Sequence, residues 1–237
     1  MMDYRGNDPG AVQYGNFINY YQFNSAEERI RLLPDDVWLS HTSVKNNEPY
    51  LILDVGCNSG AVTCLLHDFI AKHTKRKVCV LGIDIDPILI ERAVESNSNE
   101  NVTYKCLDIM NEQKTRCISD FLAKYGQTSF DATFCLSITM WIHINNGDDG
   151  LKSFLRKCAS ITTLLVVEPQ PWKCYQAAVK RFRKARDVFT HFVDLQWRTN
   201  VEDEIQAYLQ RSLSCTKIYE AEPTKWKRKI CIYHTNK

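Results

Sequence analysis

The sequence predicts an α/β fold in which a mostly parallel sheet carries helices on both faces and an antiparallel hairpin closes one edge. Three observations carry that prediction. Short apolar, β-branched runs recur at 50–55, 78–83, 102–107, 130–138 and 163–168. Helix-length segments lie between and after them, at 60–73, 87–97, 112–125, 148–159 and 172–185. The tail breaks this rhythm: after a helical segment near 201–211 come two strand candidates, 215–221 and 229–234, joined by EPTKWKR. Near-continuous apolar strands separated by helices suit a parallel sheet that meets no water on either face. With the hairpin they make seven strands.

Each element has a local reason. The first 49 residues are polar and aromatic, punctuated by Pro9, Gly10, Gly15, Pro34 and Pro49, and read as an arm with one short helix near 26–33. In LILDVGCNSGAVT (51–63) an apolar strand runs into an acid, a glycine and, four residues on, a second glycine. Gly56 and Gly60 let the backbone turn tightly and approach a ligand. Pro87 fits the first turn of the next helix. The chain shows no internal repeat, low-complexity tract or linker, so it reads as a single domain: arm and helix over 1–49, core over 50–237.

Composition sets the outer limits. At 237 residues and 44% hydrophobic, the chain is long enough to bury a sizeable core. A net charge of +2 makes no case for nucleic acid on its own. The N-terminus has no basic flank leading into an apolar stretch, and no run approaches membrane-spanning length, so neither secretion nor a membrane is expected. The ten cysteines are scattered, several of them in apolar runs (Cys79, Cys106, Cys135, Cys231). Without any C-x-x-C pair, the expectation is reduced, buried thiols, no metal site and an intracellular location.

The glycine turn asks for a ligand, and its spacing narrows the choice. A dinucleotide fingerprint counted from Gly56 needs glycine at 58 and 61, where Asn58 and Ala61 stand. A P-loop needs G-K-[ST], but Ala61 and Val62 follow Gly60. S-adenosylmethionine remains. It carries no phosphate, and its ammonium and sulfonium favour acidic and carbonyl oxygens, of which Asp54 supplies one. An acid ending the second strand is expected to hold the ribose hydroxyls, and VLGIDID places Asp84 there with Asp86 two residues on. After the third strand, YKCLDIM offers Asp108 for the adenine amino group and Ile109 for its ring. One acid after a strand is commonly just a helix cap. Three in succession, at the strand ends where open sheets bind ligands, are more than that.

The segments DVGCNSG (54–60), LSITMWIHINNGDDGL (136–151) and VEPQPWKCY (167–175), with the arm YGNFINYYQFN (14–24), resemble the Bicoid-interacting methyltransferase family. The resemblance runs from about residue 14 to the C-terminus. It implies a Rossmann-like class I methyltransferase fold, S-adenosylmethionine as cofactor, and methylation of a phosphate at an RNA 5′ end. One branch of the family caps a γ-phosphate. The other methylates 5′-monophosphates of microRNA precursors and of cytoplasmic histidine tRNA. WKCY after EPQP and the short chain favour the second branch, hence a cytoplasmic, monomeric enzyme. The resemblance also implies a cofactor shell of Tyr21, Arg29, Asn58, Asp84, Asp108, Ile109 and Leu136. In it Arg29 pairs with the methionine carboxylate, the Asn58 amide reaches the methionine end, and Tyr20 faces the phosphate. Gly56 and Asp54 complete the cofactor side.

The chemistry then accounts for an absence. A phosphate monoester has a second pKa of about 6 and is already ionised near neutral pH, so a methyl acceptor of this kind needs no general base. Alignment of the reacting atoms supplies the rate. What the site needs is a clamp of donors, for which Tyr20, His143, Lys173 and Arg181 are candidates, with Trp172 as a stacking platform for the first base. His143 and Trp172 have plainer roles open to them as buried packing. KCYQAAVKRFRKAR contains Lys173, Lys180, Arg181, Arg183, Lys184 and Arg186 with no acid among them, and TKWKRK adds a second basic cluster. Basic runs interleaved with aromatics suit RNA, although a solvated helix face has the same look. Two other classes stay open: methylation of a small molecule or a protein carboxylate, and an RNA-binding protein with a vestigial pocket.

Overall fold

The computed structural model describes residues 4–5, 8–9, 11–17, 25–39, 48–111, 113, 115–224 and 226–236. Two short strands, β1 (Tyr4–Arg5) and β2 (Asp8–Pro9), pair antiparallel ahead of a one-turn helix α1 (Ala11–Tyr14). Helix α2 (Ala26–Ile30) starts at Ser25, whose hydroxyl accepts the Glu28 N–H at 3.2 Å. The core alternates β3 (Tyr50–Val55), α3 (Ala61–Thr74), β4 (Val78–Asp84), α4 (Pro87–Ser96), β5 (Val102–Cys106), α5 (Arg116–Lys124), β6 (Phe130–Leu136), α6 (Thr139–Ser160), β7 (Thr162–Glu168) and α7 (Trp172–Lys184). Helix α8 (Val201–Ala207) runs into a wider π turn (Tyr208–Ser212), then β8 (Cys215–Glu220) and β9 (Cys231–Thr235).

The seven-stranded sheet has the order β5-β4-β3-β6-β7-β9-β8. Pairs from β5 to β7 are parallel, and β9 is antiparallel to both of its neighbours. Every residue of β3, β4 and β6 is buried, as a sheet covered on both faces requires. Alternation along β3 divides the interior in two. Leu51, Leu53 and Val55 join side chains of α5, α6 and α7, whereas Tyr50 and Ile52 join side chains of α2, α3 and α4. The strand order reverses between β4 and β6, on either side of β3. A crevice opens at such a point because the flanking connections leave on opposite faces.

Three expectations need correction. The run 130–138 is not strand to its end: β6 stops at Leu136, Ser137 turns at φ 58°, and α6 begins at Thr139. The helix expected over 148–159 is the second half of α6, joined to the first across Gly147 at φ 72° and ψ −178°. A continuous apolar stretch such as LSITMWIHI carries no periodicity to separate strand from helix. Cys106 is also exposed rather than buried, because it ends β5 at the open edge of the sheet.

Candidate active site

The crevice is a cleft of about 240 Å³ at the carboxyl ends of β3, β4, β5 and β6, lined also by residues 13–16 of the arm. Its floor is the turn after β3. Gly56, Asn58 and Gly60 all have positive φ (77°, 52° and 85°). The Gly56 and Cys57 N–H groups donate to the Ile83 carbonyl at 2.8 and 3.0 Å, which ties the turn to β4. The positive φ at Gly56 is what calls for glycine; a Cβ there would meet only the tip of the Ile138 side chain, at 2.6 Å.

Asp84 ends β4 and lines the cleft. Its carboxylate accepts the Asn58 N–H at 2.9 Å and the Asp86 N–H at 3.0 Å. Burial pushes its pKa up to about 6, against the lowering effect of those N–H groups. Asp108 follows β5 and accepts the Met110 N–H at 2.9 Å. Ile109, Met110, Leu136 and Ile138 form apolar wall beside it. Asp86 turns away from this wall: it caps α4 through the Ile88 N–H and takes a bond from Asn16 of the arm.

Arg29 reaches the cleft wall from α2 and is 4% exposed. Its Nη2 donates to the Ser137 hydroxyl at 2.6 Å and pairs with Glu168 at 3.1 Å. Asn58 also lines the cleft, but its amide is engaged: Nδ2 donates to the Phe17 carbonyl at 3.0 Å and Oδ1 accepts the Ser59 N–H at 2.8 Å. It fastens the arm over the turn.

Three other sequence-predicted residues do not lie in the cleft wall. Asp54 points to the opposite side, accepting the Thr63 hydroxyl at 2.7 Å in a buried setting that raises its pKa to about 6. His143 is fully buried on α6, not at a strand end. It donates from Nε2 to Asp148 at 3.1 Å and accepts the Tyr175 hydroxyl at 3.0 Å, so it braces helices and cannot meet a phosphate. Burial lowers its pKa and keeps it neutral. Trp172 is half-buried and stacks on Tyr175 and Phe192 at centroid distances of 5.0 and 5.3 Å, at the edge of the core rather than in the cleft wall.

The remaining acceptor-side candidates are mixed. Lys173 is exposed on the first turn of α7. Arg181, on the same helix, lies 5.4 Å from the Phe17 ring, and Phe17 in turn touches Trp141 of the cleft wall. Tyr20 and Tyr21 lie outside the described residues. Sequence reasoning missed Asn16, Ser137, Trp141, Asn145 and Asn146, which line the cleft. One signal was there: Gly15 has φ 72°, and its missing Cβ leaves room for the Trp141 indole, which would otherwise be 1.9 Å away. The YGN of the arm is where the chain crosses that tryptophan.

The site fits S-adenosylmethionine on its own terms. A turn at positive φ borders the cleft, Asp84 and Asp108 present acceptors from adjacent strands, an apolar wall suits a flat ring, and Arg29 places a guanidinium at the wall, the group that suits a carboxylate. Fold and site together define an S-adenosylmethionine-dependent methyltransferase. Residues 53–163 match the family model described as a methyltransferase domain, and residues 130–235 match that of Bicoid-interacting protein 3. The chain belongs to the Bicoid-interacting protein 3 family of methyltransferases. It is 41% identical over 240 residues to the pre-miRNA 5′-monophosphate methyltransferase of Xenopus laevis, covering 95% of this chain and 93% of that one. It is 39% identical to the human RNA 5′-monophosphate methyltransferase, covering 95% and 81%. Among solved structures, the N-methyltransferase NodS of Bradyrhizobium japonicum with S-adenosyl-L-homocysteine superposes with a TM-score of 0.56 at 13% identity, covering 92% and 91%, a likeness of fold.

Proposed function

We propose that this enzyme transfers a methyl group to the 5′-monophosphate of a small RNA. The observation that carries the reading is the make-up of the cleft wall. Its titratable side chains among the described residues are Tyr14, Arg29, Asp84 and Asp108, with no histidine, lysine, cysteine or glutamate. The two carboxylates are held by backbone N–H groups, and the buried His143 is committed elsewhere. A wall so built suits an acceptor that arrives ionised, as a phosphate monoester does. The names of the similar proteins support the same substrate class.

Bound S-adenosylmethionine supplies a methyl group on a sulfonium. This chain's part is to align and to exclude water, effects worth several kcal/mol together. Asp84 is the proposed partner of the ribose, Asp108, Ile109 and Leu136 of the adenine, Arg29 of the methionine carboxylate, and Tyr21 a further cofactor contact. Tyr20, Lys173 and Arg181 are the proposed donors to the phosphate. The exposed side of α7, with Lys173, Lys180, Arg181, Arg183 and Lys184, would follow the RNA backbone. A microRNA precursor or histidine tRNA is the proposed natural acceptor, met by a cytoplasmic monomer; cell fractionation and sedimentation check that last point.

The test uses labelled S-adenosylmethionine and matched RNAs ending in 5′-monophosphate, 5′-triphosphate or 5′-hydroxyl. Label confined to the monophosphate RNA is expected. Label on the hydroxyl RNA would remove the ionised-acceptor argument, and label on the triphosphate alone would make the protein a capping enzyme.

A further inference from the structure

The corner after β6 is held by more bonds than a turn needs. Ser137 is 8% exposed and sits at φ 58°, a conformation that persists in a non-glycine residue only where the surroundings enforce it. Its N–H donates to the Glu168 carbonyl at 3.2 Å, and its own carbonyl accepts from the Gln170 side chain. The hydroxyl donates to the Glu168 carboxylate at 2.6 Å and accepts from Arg29 at 2.6 Å and from Arg228 at 2.9 Å. One proton and two lone pairs are thereby all used.

Arg228 comes from a different part of the fold. It stands in the loop between β8 and β9, and its other terminal nitrogen reaches the Cys174 sulfur at 3.7 Å in the first turn of α7. Arg29 and Ser137 line the cleft, whereas Arg228 is not among the residues lining it and reaches Ser137 from the hairpin loop. Two guanidinium groups thus meet on one hydroxyl, with the buried Glu168 carboxylate beside them. Glu168 offsets one of the two cations, so the cluster keeps an excess of positive charge that an incoming carboxylate at this end of the cleft would balance.

We propose that Arg228 is a positioning residue for the cofactor, acting through the Ser137 hydroxyl. From the hairpin side it pins Ser137 in its left-handed turn, which keeps the Arg29 guanidinium at the wall, and it brings a second positive charge to that hydroxyl. The ligand group that gains is an amino-acid carboxylate. The inference concerns cofactor binding alone, so it stands or falls separately from RNA as the acceptor.

Calorimetry with two ligands tests it. S-adenosylhomocysteine carries the amino-acid group, and methylthioadenosine lacks it. Arg228→Ala should weaken the first by about tenfold, in line with removal of a charged hydrogen bond, and leave the second within about twofold. Ser137→Ala should cost a similar factor, and the double variant no more than the worse single one, because both remove the same link. Arg228→Lys keeps the charge but lacks the fork spanning Ser137 and Cys174, so a loss of about threefold or more is expected, and this variant carries the test if Arg228→Ala does not fold. Unchanged S-adenosylhomocysteine affinity, with or without a lower melting temperature, overturns the proposal. So do equal losses for the two ligands, or losses that multiply in the double variant.

Discussion

Asp54 and Asp84 look alike in the sequence, each an acid at the end of an apolar strand beside a glycine, yet one packs behind the sheet and the other faces the cleft. The difference is the direction of a side chain. Asp84 meets two N–H groups of neighbouring turns, while Asp54 meets Thr63 of α3. The assignment of Asp84 to the ribose makes a definite expectation. Asp84→Asn should weaken S-adenosylhomocysteine binding by roughly ten- to a hundredfold, the cost of losing charged hydrogen bonds. The wild-type affinity should also fall as pH drops below about 6, where this carboxyl takes up a proton. The variant should show a flatter profile; calorimetry at pH 5.5 and 7.5 checks both points, and equal affinities for variant and wild type would sink the assignment.

At the scale of elements, α6 and α7 decide how the cleft is walled and approached. The first half of α6 delivers Trp141, Ile142, Asn145 and Asn146 to the wall, then Gly147 breaks the helix so that Asp148 can cap the segment at Gln196 and Trp197. Helix α7 buries Tyr175, Ala178, Val179 and Phe182 and leaves its basic residues outward. It meets the arm through Arg181 on Phe17, which itself packs on Trp141 of the cleft wall. Charge reversal at Lys180, Arg183 and Lys184 should raise the KM for RNA and reduce the slope of log affinity against log salt by about one for every RNA phosphate that is no longer neutralised. Cofactor affinity should be unchanged, since none of the three lines the cleft. A salt slope equal to wild type in filter-binding titrations would mean that this face is only solvated.

The whole molecule carries several acids whose burial outweighs their partners. Asp54, Asp84 and Asp131 are all pushed up to about 6, above the value near 3.9 of an unfolded aspartate. The native state therefore binds their protons more readily than the unfolded chain does. Their contribution to stability is full below about pH 4 and is lost as pH rises through about 6. His143 works against them, because it is buried neutral and loses stability as acid charges the unfolded imidazole. A difference measurement separates the two. The stability of wild type relative to Asp54→Asn should grow as pH falls from 7 to 4, read from urea unfolding midpoints. A constant difference would show that the Asp54 carboxyl titrates alike in both states.

The sequence by itself determined the seven strands, the glycine turn and the order of acids along the strand ends, because these rest on local chemistry: apolar runs, backbone conformations that glycine tolerates, and strand-to-helix turns. Reading the strand ends placed Gly56, Asp84, Asp108 and Ile109 at the cleft, and the family resemblance added Asn58 and Leu136, all of which line it. Tertiary structure decided the rest. Whether Asp54 turns inward, whether His143 is bonded away, and that Arg29, Ser137, Glu168 and Arg228 form one cluster all depend on side chains brought together from distant parts of the chain. Local spacing cannot encode such meetings, because the sheet order and the face of each helix fix them only once the whole core has packed.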